Sequence, residues 1–304
     1  MSRLILVYNP NSSNYRRVKK DILDSRDEIF RNYNLDEYTI KKIGFDNNVK
    51  NLAKIIKDKD ILLALGGDAT AAITANAILE SKKDATFAVL PYGNFNDLAR
   101  TIGTMKLEDI DLDSKPIKLY PLEIYVDGKF WRWATCYVTI GMTAEAVELF
   151  DEPKFRKYMQ KGHKSSWRSY LELAKWYFKN RHKKIFLPEF TINGKPTVKK
   201  ASDYAALSGK SMCRVMKGGD DYKKSKVFRS RALKTISFPK LFILMARAIL
   251  VRTPGDETTK DVLEFVNPAT IEFQAEGEYQ IFKDVKKVEI KKGDRCLKMI
   301  QKSS

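Results

Sequence analysis

Two short glycine-containing loops carry residues that could hold a phosphate and a metal ion. Asp68 follows Gly66 and Gly67, and each of the two loops comes directly after an apolar run typical of a buried strand. In the second loop Asp97 follows Gly93. Glycine lets the main chain approach a phosphate closely, and a following helix adds amide donors at its N-terminus. Carboxylates are the hard oxygen ligands that Mg²⁺ prefers. The sequence therefore predicts a nucleotide-phosphate site with a metal.

Strand and helix patterns alternate around these loops. The predicted strands are residues 4–8, 37–43, 61–65 and 87–90, and the predicted helices are residues 15–31, 48–57, 70–80 and 96–102. Such alternation indicates a mostly parallel sheet covered by helices. In sheets of this kind ligands bind at the carboxyl ends of the strands, where both loops would lie.

The pattern changes near residue 115 to one typical of antiparallel strands. Predicted strands at 116–125 and 129–138 are joined by Asp127-Gly128, a dipeptide favoured in type I′ hairpin turns. Further strand patterns and a second hairpin signal follow, at residues 190–195, 270–273, 285–290 and 297–300. We predict an α/β domain over residues 1–122 and a mainly antiparallel β-sandwich over residues 123–304. The last strand could return to the first domain.

Three motifs resemble a known family. GGDAT at residues 66–70 resembles the GGDGT signature shared by diacylglycerol kinases, sphingosine kinases and NAD kinases. PYGNFNDLAR at residues 91–100 resembles the P-x-G-T-x-N-D-x-A-R segment of the lipid-kinase branch, and residues 9–13 resemble its N-P-x-S-G loop. Three motifs in order, each after a predicted strand, are more specific than one alone. The chain is similar to the YegS-like bacterial lipid kinases.

This resemblance implies a nucleotide-binding sheet of the NAD kinase and phosphofructokinase type. It also implies ATP and Mg²⁺ as cofactors and a lipid hydroxyl as acceptor, diacylglycerol by default. The residues implied in nucleotide binding are Asn9, Ser12, Ser13, Gly66, Gly67, Thr70, Gly93, Asn94 and Asn96. Asn96 could instead hold its loop through its own side chain, and Asn14 or Ser13 could cap the next helix. Asp68 and Asp97, implied in catalysis and metal binding, could also be helix caps.

A third acidic group lies far along the chain. Glu276-Gly277-Glu278 follows the predicted strand 270–273 and matches in position the family's D-G-E segment. The resemblance implies that Glu276 is the base towards the lipid hydroxyl and that Glu278 joins the metal ligands. Glu123, where the family usually has Asp, would be a further metal ligand. The alternatives are an exposed hairpin turn for E-G-E and a solvent-facing side chain for Glu123.

Several positions depart from the family pattern. Ala69, Asn94 and Ser13 stand where the family has Gly, Thr and Gly. Ala69 would be strained if its loop required a positive φ. The family's D-D-G-x-L segment, which could contribute a structural Mg²⁺, has no match before the predicted strand at 234–236, where Ser230 and Arg231 stand instead.

The charge is distributed unevenly over the 304 residues. Residues 1–122 contain 19 Lys+Arg and 17 Asp+Glu, and residues 123–304 contain 37 and 21, which places nearly all of the net charge of +18 in the second part. One explanation of this excess of positive charge is an anionic partner, either a lipid headgroup layer or nucleic acid. The other is that the charge keeps the protein soluble. Within it, residues 154–184 hold eleven Lys+Arg and one acid, with an aromatic helical face that suits an anionic membrane surface or packing on the domain.

Composition narrows the setting. We predict a cytoplasmic protein, because the three cysteines are scattered and no signal-peptide pattern is present. The apolar stretch 241–251 is too short to cross a membrane, so the attachment predicted from residues 154–184 would be peripheral. Two histidines make a zinc site or a Ser-His-Asp triad improbable. No nucleic acid is expected, because RNA-type aromatic motifs are missing. A homodimer is compatible with the sequence. The alternative functions are a catalytically weak lipid- or nucleic-acid-binding protein on the same scaffold, and an NAD kinase.

Overall fold

The computed structural model describes residues 2–302 apart from 13, 146–174, 176–186, 196, 213–215, 235–246, 248–250, 252–254 and 277. Ser13 and most of the predicted membrane-binding helix at 154–184 therefore lie outside the described residues, as do both histidines and most of the apolar stretch 241–251. No helix among the described residues is long and apolar enough to cross a membrane.

The first sheet has six strands in the order β2-β1-β3-β4-β17-β5. Numbered along the chain, they are β1 Arg3–Tyr8, β2 Asn34–Thr39, β3 Ile61–Gly66, β4 Thr86–Pro91, β5 Ile117–Leu119 and β17 Leu297–Met299. All neighbouring pairs are parallel except β17 with β5. The predicted mostly parallel sheet is confirmed.

The helices of this part follow the strands. They are α1 Tyr15–Asp21, α2 Arg26–Ile29, α3 Phe45–Ile55, α4 Asp68–Ser81 and α5 Asp97–Ile102, with 3₁₀ turns at Leu23–Ser25 and Leu107–Asp109. The single helix predicted over 15–31 is wrong, because the first of these turns divides it where the consecutive side chains Ile22 and Leu23 are both buried. α4 is buried nearly all round, as expected for a helix covered on several sides.

Among the described residues, the second sheet has nine antiparallel strands. They are β6 Leu122–Val126, β7 Lys129–Ala134, β8 Tyr137–Gly141, β9 Phe190–Ile192, β10 Ala201–Leu207, β13 Phe228–Lys234, β14 Asp256–Thr258, β15 Lys260–Ala275 and β16 Glu278–Lys292. The order is β14-β13-β10-β8-β15-β16-β6-β7, with β9 also paired to β15. A separate small hairpin joins β11 Ser211–Met212 to β12 Met216–Lys217. The antiparallel character of the second part is confirmed.

Both predicted hairpin turns are present. Asp127 and Gly128 have φ of 47° and 78°, and Asn193 and Gly194 have φ of 53° and 69°. Positive φ at both central residues is what a type I′ turn requires. The predicted strands 116–125 and 129–138 are each divided in two, by passages from β5 to β6 and from β7 to β8. The second passage, at Thr135–Cys136, becomes part of the candidate site.

The first and second sheets are joined by polar and aromatic contacts. The side-chain amide of Asn76 on α4 donates to the carbonyl of Trp133 and accepts from its N–H, both at 3.0 Å, and so satisfies main-chain groups of the edge strand β7. The Arg132 guanidinium lies 4.1 Å from the ring centroid of Phe45 on α3 and 4.3 Å from that of Trp131. β7 is therefore packed directly against two helices of the first sheet.

Candidate functional site

The two glycine loops touch each other through their main chains. A Cβ atom on Gly93 would lie 2.2 Å from the Cα of Gly67 and 2.8 Å from Oδ1 of Asn96. No side chain fits there, so glycine is required by the contact between the loops. These glycines, predicted above to allow close approach of a phosphate, also let the loop at residues 66–70 contact the loop at residues 91–97.

Asp68 joins the loops by hydrogen bonds. Its Oδ2 accepts the N–H of Asn96 at 2.9 Å, and its Oδ1 accepts the N–H of Asp97 at 2.6 Å. Asp68 is the first residue of α4, yet these amides begin α5, so its carboxylate caps the neighbouring helix rather than its own. Burial raises the pKa of Asp68, and the charges of Asp97 and Glu276 raise it further.

Asn96 uses its side chain within its own loop. It has φ of 58°, its Oδ1 accepts the N–H of Gly93, and its Nδ2 donates to the Gly93 carbonyl, both at 2.8 Å. These two bonds favour the loop-holding alternative over direct contact between the Asn96 amide and a ligand. Asn94, in the same loop, is half-buried.

Glu276 is buried in the turn between β15 and β16, with 4% of its surface exposed and φ of 53°. Its Oε1 accepts the hydroxyl of Thr135 at 2.5 Å and the N–H of Cys136. Burial raises the pKa of Glu276 to about 7; hydrogen bonds from Thr135 and Cys136 oppose the shift, and the Asp97 charge adds to it. The turn closes a hairpin, as the alternative interpretation of E-G-E predicted. Glu276 is not exposed, however, as that interpretation required.

Asp97 lies between these groups and is 1% exposed. Its Oδ1 accepts the hydroxyl of Ser211 at 2.6 Å, from the hairpin β11–β12. Ser211, Thr135 and Cys136 were not predicted as site residues. They lie outside the glycine motifs and the E-G-E segment, and nothing local in their sequence marks them.

The loop after β1, at residues 9–14, reaches the loop at residues 91–97 through Asn14. Its Nδ2 donates to the Tyr92 carbonyl at 2.7 Å, and it makes no side-chain cap bond to α1, so the capping alternative does not hold for Asn14. Asn9 shapes its own turn, since its Oδ1 accepts the N–H of Asn11 at 2.9 Å and its carbonyl accepts the N–H of Ser12. The three motifs are thus brought to one edge of the first sheet.

The four carboxylates predicted as metal ligands are not all together. Asp68 and Asp97 are in contact through the Asp97 amide, and Glu278 pairs with Ala275 next to the Glu276 turn. Glu123 is elsewhere: it accepts from the Tyr125 hydroxyl at 2.8 Å and from the Trp133 indole at 3.4 Å.

Glu123 lies near a later part of α4 than Asp68 does. The main chain of Trp133, whose indole contacts Glu123, is bonded to Asn76, eight residues after Asp68 on the helix. Eight residues of α-helix span about 12 Å. Glu123 and Tyr125 are half-buried and alternate with buried residues along β6, as strand alternation predicts. The assignment of Glu123 as a metal ligand stays a prediction.

The donor chemistry suits a hard cation that arrives with phosphate. Among the described residues, no group of three or more His, Cys, Asp and Glu side chains is arranged to hold a metal ion alone. Mg²⁺ commonly binds through one or two carboxylates together with substrate phosphates and water. Asp97 is a carboxylate of this type, and each oxygen of Asp68 already accepts one main-chain amide.

Ala69, which would be strained at a positive φ, lies in the first turn of α4. It is the second residue of α4 and is not among the residues with positive φ, so a Cβ causes no backbone strain. Ala69→Gly is expected to leave any turnover unchanged and to lower the free energy of unfolding by at most about 1 kcal/mol, the cost of Gly in a helix. Denaturant unfolding with a parallel activity assay would check this; a gain in stability would show that the Cβ is strained.

The first part of the chain is similar to known proteins. Residues 3–119 match the diacylglycerol kinase catalytic domain. A diacylglycerol kinase of Staphylococcus carnosus is 24% identical over 123 residues, 38% of this chain and 39% of that protein. One of Staphylococcus epidermidis is 30% identical over 102 residues, 33% of this chain and 31% of that protein. The alignments therefore span about a third of the curated relatives.

The fold extends the similarity beyond the catalytic domain. A crystal structure of a diacylglycerol kinase from Bacillus anthracis str. Sterne superposes with a TM-score of 0.65, covering 99% of this chain and 97% of that one at 15% identity. The chain is built as an α/β sheet domain followed by an antiparallel sheet domain, with carboxylates from both at one site. Over residues 3–119 it is similar to the diacylglycerol kinase catalytic domain.

Proposed function

We propose that this protein is an ATP- and Mg²⁺-dependent lipid kinase that phosphorylates a lipid hydroxyl, with diacylglycerol as the default acceptor. The observation that carries the proposal is the convergence of Asp68, Asp97 and Glu276 on one buried site, although Glu276 follows Asp68 by about 200 residues in the chain. Phosphoryl transfer needs phosphates held, charge neutralised and an acceptor hydroxyl placed beside a base. The residues at this site can supply these requirements.

Glu276 is the proposed base. A base acts best when its pKa is near the working pH, and burial raises the pKa of Glu276 to about 7. The hydroxyl of Thr135 and the N–H of Cys136 both bind Oε1, which fixes the plane of the carboxylate. The Glu276 carboxylate is therefore fixed in orientation and has a pKa that suits a general base.

Asp97 is the proposed metal ligand, and Asp68 is assigned a positioning role. A bound Mg²⁺ would neutralise phosphate charge during transfer. Asp97 is oriented by Ser211, while Asp68 ties the start of α5 to the start of α4. Glu278, beside the turn, is retained as a ligand within the same proposal.

The test is turnover of Mg²⁺-ATP over diacylglycerol, sphingosine, ceramide and a polyprenol in mixed micelles, with NAD as a separate acceptor. Transfer of labelled phosphate to one of the lipids is expected. Transfer to NAD alone would favour an NAD kinase. Binding of lipid vesicles with no transfer to any acceptor would favour a lipid-binding protein on a kinase scaffold.

Peripheral binding to anionic membranes is part of the proposal. It is supported by the charge excess of residues 123–304, concentrated at 154–184. Each Lys or Arg near such a surface contributes about 1 kcal/mol, and salt screens the attraction. Sedimentation with vesicles is expected to rise with the phosphatidylglycerol content and to fall at high salt. Equal partitioning to neutral and anionic vesicles would contradict it.

A further inference from the structure

The loop at residues 208–211 connects the surroundings of the Glu276 carboxylate with those of the Asp97 carboxylate. At its start, the N–H groups of Ser208 and Gly209 donate to the Cys136 carbonyl at 2.7 and 2.8 Å. The N–H of the same Cys136 donates to Oε1 of Glu276. The main chain at Cys136 is thus shared between the loop and the Glu276 carboxylate.

The other end of the loop contacts Asp97. The Ser211 hydroxyl donates to Oδ1 of Asp97 at 2.6 Å, and Ser211 is 7% exposed. A hydroxyl bound to a carboxylate at this distance makes a short, charge-assisted hydrogen bond. Little water is available to replace it, because both side chains are buried.

The loop between these ends is held from several directions. The N–H of Lys210 donates to Oγ1 of Thr101 on α5 at 3.1 Å, and the Lys210 carbonyl accepts the N–H of Gly218 at 2.7 Å. A Cβ atom on Gly209 would lie 2.8 Å from Sγ of Cys136, so this position packs without a side chain. Ser211 is therefore carried on a fixed segment of main chain.

We propose that Ser211 is a positioning residue that fixes the direction of the Asp97 carboxylate relative to Glu276. This inference rests on the proposed function, in which Asp97 binds the metal and Glu276 takes the proton. An aspartate has two side-chain torsions, and the Ser211 bond restricts both. A small misplacement of a carboxylate at a reacting centre lowers the rate strongly.

The matched control lies three residues away in the same loop. Ser208 is also buried, and its hydroxyl oxygen has no hydrogen-bond partner among the residues that the structure describes. Ser208→Ala and Ser211→Ala therefore remove the same buried atom, but only the second removes a bond to Asp97.

In Mg²⁺-ATP turnover on the accepted lipid, Ser211→Ala is expected to raise the Mg²⁺ concentration for half-maximal rate by about 10–100-fold. Ser208→Ala should stay near the wild type. Ser211→Thr, which keeps the hydroxyl, should recover part of the loss. An equal effect of the two alanine variants, or no change in the Mg²⁺ requirement of Ser211→Ala, would overturn the proposal.

A crystal structure of Ser211→Ala separates this inference from the proposed function. The Asp97 carboxylate is expected to turn from its wild-type direction, while the Glu276 bonds to Thr135 and Cys136 remain. An unmoved Asp97 would overturn the positioning role whatever the protein phosphorylates. A wild-type protein without lipid turnover, but with Asp97 turned in the variant, would refute only the proposed function.

Discussion

Glu276→Gln is expected to lower kcat for lipid phosphorylation by about 10²–10⁴-fold, the usual contribution of a general base. The amide keeps the size of the side chain and can still accept from Thr135 and Cys136, so the turn should fold as before. It cannot take a proton from the acceptor hydroxyl. Nucleotide affinity should barely change, because the proposed phosphate loops are on other segments of the chain.

The control for this change is Glu264→Gln, at an exposed position of β15, the strand before the Glu276 turn, which should leave kcat unchanged. Glu276→Asp should retain part of the activity, since the carboxylate survives with a shorter reach. Steady-state rates on the accepted lipid, with nucleotide binding measured by calorimetry, check these results. Normal turnover by Glu276→Gln would require another base.

The pH dependence has a definite sign. The base must be ionised, and the pKa of Glu276 is raised to about 7, so kcat should rise as the pH increases through about 7. A base with an ordinary carboxylate pKa would already be ionised throughout this range. A kcat that is flat between about pH 6 and 8, with chemistry shown to be rate-limiting, would contradict the assignment.

Asp97→Asn is expected to reduce turnover by about 10³-fold or more, comparable to removing a major electrostatic group from a reacting centre. The neutral amide is a poor metal ligand, whereas its oxygen can still accept from Ser211 and its main-chain N–H can still donate to Asp68. The melting temperature should therefore stay within a few degrees. Loss of a buried charge near Asp68 and Glu276 also removes repulsion.

Asp68→Ala provides the contrast. It should also lower turnover, but it leaves two amides at the start of α5 without their acceptor and should cost about 0.5–2 kcal/mol of stability. Asp27→Asn, at an exposed residue of α2, is the neutral control. Turnover and thermal unfolding measured on all three variants distinguish the roles. Wild-type turnover by Asp97→Asn would show that its carboxylate serves only the fold.

Much of the first sheet and its site followed from local sequence. Parallel strands place the loops at their carboxyl ends side by side, so Asp68 and Asp97 could be predicted as neighbours from strand patterns alone. The role of Asp68 as a cap for α5 could not be predicted in this way. It depends on the closeness of Gly67 and Gly93, which is a property of packing.

The second part was less predictable because its contacts are distant along the chain. Ser211 reaches Asp97 across 114 residues, and Thr135 reaches Glu276 across 141 residues. No periodicity or motif encodes such pairs. The half-buried position of Glu123 follows from strand alternation, whereas its assignment as a metal ligand rests on the resemblance and stays a prediction.

The return of β17 to the first sheet has a consequence for biosynthesis. The proposed nucleotide loops are complete once β4 and α5 have been made, but the strand that lies between β4 and β5 is encoded about 200 residues later. At 5–20 residues per second, this delay is about 10–40 s. During that time one edge of β4 lacks its native partner and could pair with another chain. The first sheet is therefore completed only after nearly all of the second has left the ribosome.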